Sequence, residues 1–245
     1  MKIIILSSFP SQVCRSYFMN FDENRDFPFY NEIPRMSKIG WLVLLISVPV
    51  ALFSFHHADF FTNELVASIF FLLIMLIPLL YFSDWDYSLF FKKPTKDEVI
   101  LAVVMFLAFF IYSFIMTPLL DASGLASIGS GDADIVPIIS LVFSMMAEEL
   151  MKFIPLMFLL RVFFKYTSNR RLSIIVSSAI TLVFFALIHL EPGVSLLSVL
   201  LIQGLGSLFH LYVYLKTKNL FASYLSHLMT DAFVLIMAMF GILAA

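Results

Sequence analysis

The chain has a single cysteine, Cys14, in 245 residues. One thiol closes no disulfide, and its place near the amino end gives little reason to expect a thiol nucleophile. Charge is scarce as well: Asp, Glu, Lys and Arg make up 13% of the residues against 61% hydrophobic ones, and the mean hydropathy is +0.99. A soluble globule of this length would need far more polar surface, so that class is excluded. The net charge of −2 argues against nucleic acid as a partner. No internal repeat of the kind that many transporters show is visible.

What the chain does have is a series of apolar runs. Stretches of about 18 residues or more, enough to cross a bilayer as a helix, fall at 39–56, 65–83, 98–120, 136–160, 172–190, 194–214 and 220–243. They predict an all-α fold, a polytopic transmembrane helical bundle of about seven spans. Of the 15 Lys and Arg residues, all but Lys152 lie before the first span, between the second and third, between the fourth and fifth, or between the last two. The intervening segments hold His56, His57, Asp59 and Glu64, then Asp121, Asp132 and Asp134, then Glu191. Seven spans with the amino end in the cytoplasm and the carboxyl end outside satisfy the positive-inside rule without exception.

The expected organisation has three parts. Residues 1–38 form a cytoplasmic amino-terminal tail, since the apolar run Ile3–Leu6 is too short for a signal-peptide core. Residues 39–120 form three accessory transmembrane helices, and 136–243 a four-helix core that carries the chemistry. Asp121 to Asp134, rich in Gly, Ser and Asp, reads as a flexible external loop. The protein is expected to be a multi-pass integral protein of a prokaryotic plasma membrane.

Lys152 lies inside the fourth run, four residues after Glu148 in the pair Glu148-Glu149. A charge at membrane depth costs about 2.5–3.5 kcal/mol even on the mildest scale, so such a cluster marks a site by default. Glu148 lies near the middle of the run, beyond the reach of snorkelling. Lys152, one turn later, is placed to hold Glu148 ionised. A purely structural ion pair between helices would not need the second carboxylate. The fifth run ends Phe184-Phe185-Ala186-Leu187-Ile188-His189, and the seventh holds His227 and Asp231 four apart on one helical face, where the carboxylate can fix the imidazole tautomer. In the sixth run Gly204, Gly206 and Ser207 suit close helix packing, Gln203 suits a hydrogen bond across the bundle, and His210 reads as structural.

At these residues the chain resembles the CAAX-protease and bacteriocin-processing (CPBP) intramembrane proteases. That family pattern is a Glu-Glu pair followed by Arg, then Phe-x-x-x-His, then His-x-x-x-Asn, all within membrane helices. Glu148-Glu149, Phe185 to His189 and His227 to Asp231 occupy it, and Leu215 to Ser223 looks like the family's lead-in to the last motif. The resemblance covers roughly residues 136–235. Two departures stand out: the family's Arg falls on Phe153, with Lys152 one position earlier, and its Asn is Asp231. Glu-Glu-x-x-Lys and His-x-x-x-Asp instead look like the related PrsW-type proteases, although His189 stands where their second motif has Glu.

The resemblance implies an intramembrane endopeptidase that hydrolyses a peptide bond of a membrane-associated protein or peptide. Hydrolysis needs an activated water, a proton donor to the leaving amine and a stabiliser for the oxyanion. Glu148, helped by His189, would activate water; His227, oriented by Asp231, would stabilise the oxyanion; Glu149 and Lys152 would position or tune Glu148. A glutamate can activate water unaided, so no cofactor is required. Were zinc used, Glu148, His189 and His227 would be its ligands. Two other classes share these residues: a catalytically silent membrane scaffold or regulator acting through the tail, and a proton-coupled transporter with the acids and histidines as a relay. One tension remains at this stage. Counted from Arg171, His189 would lie about 8–9 Å nearer the outer face than Glu148, a gap that tilt or a later helix start would have to close.

Overall fold

The computed structural model describes residues 19, 21, 22, 24–57, 61, 63–125 and 138–239. Cys14, the run Ile3–Leu6, most of the external loop through Asp132 and Asp134, and the last residues of the seventh run lie outside the described residues.

Every predicted run is helical. The helices are α1 Lys38–His56, α2 Glu64–Tyr81, α3 Lys96–Ala122, α4 Ile138–Thr167, α5 Arg170–Leu187, α6 Leu196–Val199, α7 Gly206–Thr217 and α8 Leu220–Met239. No strand occurs among the described residues. A π-helical segment, Leu200–Leu205, joins α6 and α7 into one span of 22 residues. Among the described residues, six spans are long and apolar enough to cross a membrane. The remaining helix, α4, is 30 residues long, about 45 Å at 1.5 Å per residue, and its composition sets it apart because Glu148, Glu149 and Lys152 sit in its interior. The chain is thus a multi-pass membrane protein, a helical bundle.

Helix ends follow from local chemistry. Ser37, Asn63, Thr95 and Asn169 each accept a backbone N–H at the start of α1, α2, α3 and α5, which satisfies a donor the helix leaves orphaned. Thr95 and Glu98 form a reciprocal capping box. Tight two-residue reversals, Ser168-Asn169 and Lys218-Asn219, join α4 to α5 and α7 to α8, with Ser168 and Lys218 in the left-handed region.

Helix α4 is the axis of the bundle. It packs against α2, α5 and α8, with α1 on α2 and α3 across α7 and α8. Ala147, Leu150, Met151, Phe153, Ile154, Leu156, Met157 and Leu160 on α4 are all buried. The small residues of the sixth run act as expected. A Cβ on Gly204 would come within 3.2 Å of Ala186 on α5, and one on Gly206 within 2.7 Å of the Phe109 ring on α3. These glycines let α5 and α3 approach the α6–α7 span, and Tyr112 of α3 donates to the Leu201 carbonyl inside the π segment at 2.8 Å.

The end of the tail is a folded plug. Phe27, Phe29, Tyr30 and Met36 are buried against Trp41, Phe90, Phe164 and Tyr214. Asp26 pairs with Arg170 at 2.6 Å and Glu32 with Arg161 at 3.0 Å, so the tail straps the far ends of α4 and α5.

Candidate active site

The hairpin geometry brings the charged residues together. Glu148 precedes Ser168 by 20 residues and His189 follows Asn169 by 20, so an antiparallel pair of helices around that reversal places the two side by side. In the same way His210 precedes Lys218 by 8 residues and His227 follows Asn219 by 8. The His210 and His227 rings accordingly stack at 4.8 Å, nearly parallel.

This register removes the depth tension for His189. A late start of α5 is not responsible, since that helix begins at Arg170. Helix α4 runs on to Thr167, about two turns past the expected end at 160, which shifts the reversal and brings His189 level with Glu148. The two side chains lie within electrostatic range of each other.

Around His227 the side chains form a chain of alternating charge. Lys152 Nζ lies 2.5 Å from Glu149 Oε1, the same oxygen faces His227 Nδ1 at 2.8 Å, and His227 Nε2 faces Asp231 Oδ2 at 3.1 Å. Carboxylates accept only, so the arrangement suits an imidazolium donating from both nitrogens. Ser223 Oγ donates to Glu149 Oε2 at 2.5 Å, and its oxygen lies 2.8 Å from the His210 carbonyl. His210 Nδ1 meets Ser226 Oγ at 3.1 Å. Glu149, Lys152 and His210 are all at or below 3% exposure. Asp231 lies on the Nε2 side of the ring, the side that also faces Glu148, and Nδ1 is held by Glu149.

Lys152 departs from expectation in its partner. The sequence places it one turn after Glu148, but its ion pair is with Glu149. The reason is packing: Lys152 Nζ sits 4.7 Å from the Phe185 ring centroid on α5, and that direction aims the ammonium at the carboxylate on the buried side of α4.

Glu148 is left free by this division. It accepts no hydrogen bond from any described residue, and its nearest cation is His227 Nε2 at 3.8 Å from Oε2. Its side chain is 16% exposed, against 3% for Glu149. A gap of 3.8 Å with some exposure suits a bridging water. His189 Nδ1 is 2.8 Å from the Phe185 carbonyl, so Nδ1 donates there and Nε2 is the ring nitrogen left for the site. The Phe185 ring stands between His189, at 4.6 Å, and His227, at 6.5 Å, as a post that spaces the two imidazoles.

The donor set fits zinc poorly. His227 has both ring nitrogens turned to carboxylates, Glu149 has its oxygens taken up by Lys152, His227 and Ser223, and no three His, Cys, Asp or Glu side chains converge on one metal position among the described residues.

The sequence reading missed Ser223 as a clamp on Glu149 and the stacking of His210 on His227. The signal for both was the Lys218-Asn219 reversal, which sets His210 opposite His227 once its position is known. The partners of Glu149 come from α4 and α8, with Phe185 of α5 on Lys152 and His210 of α7 on His227, while α1 to α3 buttress those helices.

Comparison with known proteins agrees with this region. Residues 132–233 match the protein family described as type II CAAX prenyl endopeptidase Rce1-like. No curated protein and no solved structure matches the chain.

Proposed function

We propose that the chain is an intramembrane endopeptidase, as the family match over residues 132–233 suggests, in which Glu148 activates the attacking water. The observation that carries this reading is the unequal treatment of the two glutamates: Glu149 is locked by Lys152, His227 and Ser223, while Glu148 stands partly exposed, without a donor, 3.8 Å from a cationic nitrogen. A general base must have a free lone pair and reach a water. Glu148 meets both conditions and Glu149 meets neither.

The geometry supports one sequence of steps. A water between Glu148 and His227 Nε2, with His189 Nε2 as a second acceptor, gives up a proton to Glu148 as its oxygen bonds to the scissile carbonyl carbon. The carbonyl oxygen gains the negative charge, and His227, held by Glu149 through Nδ1, turns to that oxygen the Nε2–H that it otherwise gives to Asp231. The C–N bond then breaks, and the proton held by Glu148 passes to the leaving amine. No step needs a metal. The substrate is a membrane-associated protein or peptide, since the groups involved lie within a helical bundle in lipid, and a prokaryotic plasma membrane is the setting that fits the chain.

The test is Glu148→Gln, which keeps volume and removes basicity. With purified protein in proteoliposomes and a panel of membrane-anchored peptides, prenylated and unmodified, cleavage should fall by roughly 10²-fold or more with the melting temperature unchanged. Cleavage at the wild-type rate would sink the assignment and leave the scaffold reading in its place.

A further inference from the structure

Beside the start of α8 lies a cleft that the protease reading does not use. It has a volume of about 690 Å³ and is walled by Tyr87, Phe91, Pro94 and Phe221, with Lys92 and Lys93 among its lining residues. Its floor is the link between α2 and α3, held from behind by Arg25, which donates to the Ser88 and Leu89 carbonyls. Lys92 shares Asp22 at 3.6 Å, both half exposed, and Lys93 makes no ion pair among the described residues. The carboxylate nearest in sequence to the cleft's wall, Asp86, is turned onto the Ser88 amide and hydroxyl. Lys96 follows within one turn, and no acid lines the cleft.

The surroundings fix its level. Tyr81, Trp85 and Tyr87 follow one another past the end of α2 with 63%, 59% and 66% of their surface exposed. Exposed Tyr and Trp at a helix end belong at the membrane–water boundary. A basic cleft with an aromatic wall at that level meets a phosphate and the first carbons of acyl chains together.

We propose that this cleft binds the headgroup of an anionic phospholipid, with Lys92 and Lys93 on the phosphate and Phe91 and Phe221 against the upper acyl chain. The site is wired to the bundle. The Asn219 side chain accepts from the Lys92 amide, donates to the Lys92 carbonyl and to Glu98, and accepts from the Phe221 amide. A bound headgroup therefore tightens the link that starts α8, eight residues before His227. The proposal rests on the membrane reading and not on catalysis, so the Glu148→Gln protein serves as its host.

The measurement is lipid retention by native mass spectrometry on full-length protein, in phosphatidylcholine with and without phosphatidylglycerol. Each lysine near an anionic surface contributes about fivefold in binding, so Lys92→Gln with Lys93→Gln should cut phosphatidylglycerol retention by about 25-fold. The control, Lys165→Gln with Arg171→Gln, removes the same charge from the ends of α4 and α5 and should retain the lipid. Equal loss in both variants would mean diffuse attraction and overturn the site. So would displacement of the lipid by glycerol phosphate at matched concentration, which would make the cleft a free-anion site. Unaltered melting of the double variant in phosphatidylcholine alone shows that it folds, and a loss of melting temperature there would assign Lys92 and Lys93 to the fold and overturn the proposal.

Discussion

Lys152→Met tests the charged chain most directly. Lys152 and Glu149 are 2% and 3% exposed, so removing the ammonium leaves a buried carboxylate with only His227 and Ser223 to answer it. Breaking a buried ion pair by deleting one partner costs about 3–5 kcal/mol. In a chain of this size each kcal/mol moves the melting temperature by about 2–4 °C, so the expected loss is about 6–20 °C, toward the lower end because His227 still faces Glu149. The assay is thermal unfolding of purified protein in detergent or bicelles, followed by tryptophan emission and cross-checked by light scattering. The companion is Glu149→Gln in the Lys152→Met background. It removes the orphaned charge, so the double variant should recover at least half of the loss, a coupling that independent sites would not show. Lys152→Arg, which keeps the charge, should stay closer to wild type. A melting temperature for Lys152→Met within about 1 °C of wild type, or strictly additive losses in the double variant, would refute the account of Lys152 as the buried counter-charge of Glu149.

Two further predictions concern orientation and the plug. Reporter fusions should place residues 84–97 and 165–171 in the cytoplasm and 121–134 outside, as the one-sided distribution of Lys and Arg requires; an external 165–171 would overturn the topology. At Asp26, burial pushes the carboxyl upward, but hydrogen bonds from Arg170 and Tyr30 outweigh it and hold the group below its ordinary 3.8. A depressed carboxyl contributes stability that is complete above 3.8 and is lost as pH falls through the lower folded value. Hydrogen exchange across residues 24–36 should therefore accelerate below about pH 4 in the wild type, and Asp26→Asn should show the faster exchange already at pH 7; identical protection in the two at pH 7 would refute the strap.

Most of the bundle was legible because membrane helices announce themselves twice, by apolar length and by the side on which their Lys and Arg fall. All seven runs are helices, within a few residues except at α4. That end was misread because Arg161 and Lys165 look like the close of a span, whereas Arg161 is held by the Phe29 carbonyl and Glu32 of the plug and the helix continues beneath it. The consequence reached the site, since the depth of His189 depends on where α4 turns. That Glu148, Glu149, His227 and Asp231 lie together was readable from their order and spacing. Which glutamate takes Lys152 was not, because i+3 and i+4 partners are equally available on a helix and the choice was made by Phe185 on another one. The plug was invisible for a related reason: Phe27, Phe29 and Tyr30 have no periodicity, and the surface they cover is assembled only in the fold, from Trp41 of α1, Phe90 after α2, Phe164 of α4 and Tyr214 of α7.

The two departures from the family pattern take on a common meaning in this geometry. An aspartate at 231 adds a negative charge beside His227 that a neutral asparagine would not, whereas Lys152 keeps the cation that the pattern has as Arg, one position earlier and on the other side of Glu149. Along Lys152, Glu149, an imidazolium at His227 and Asp231 the charges alternate and cancel, so the added acid belongs to one neutral chain with links of 2.5, 2.8 and 3.1 Å. An unbalanced charge at such depth would be costly to keep. An acid added there is what a working site would carry if His227 had to be held as a cation, and it leaves Glu148 outside the balance, free to take and return a proton. That supports an altered but intact hydrolytic centre over a silent one, because a scaffold would need neither the buried cation at Lys152 nor the second carboxylate that answers it.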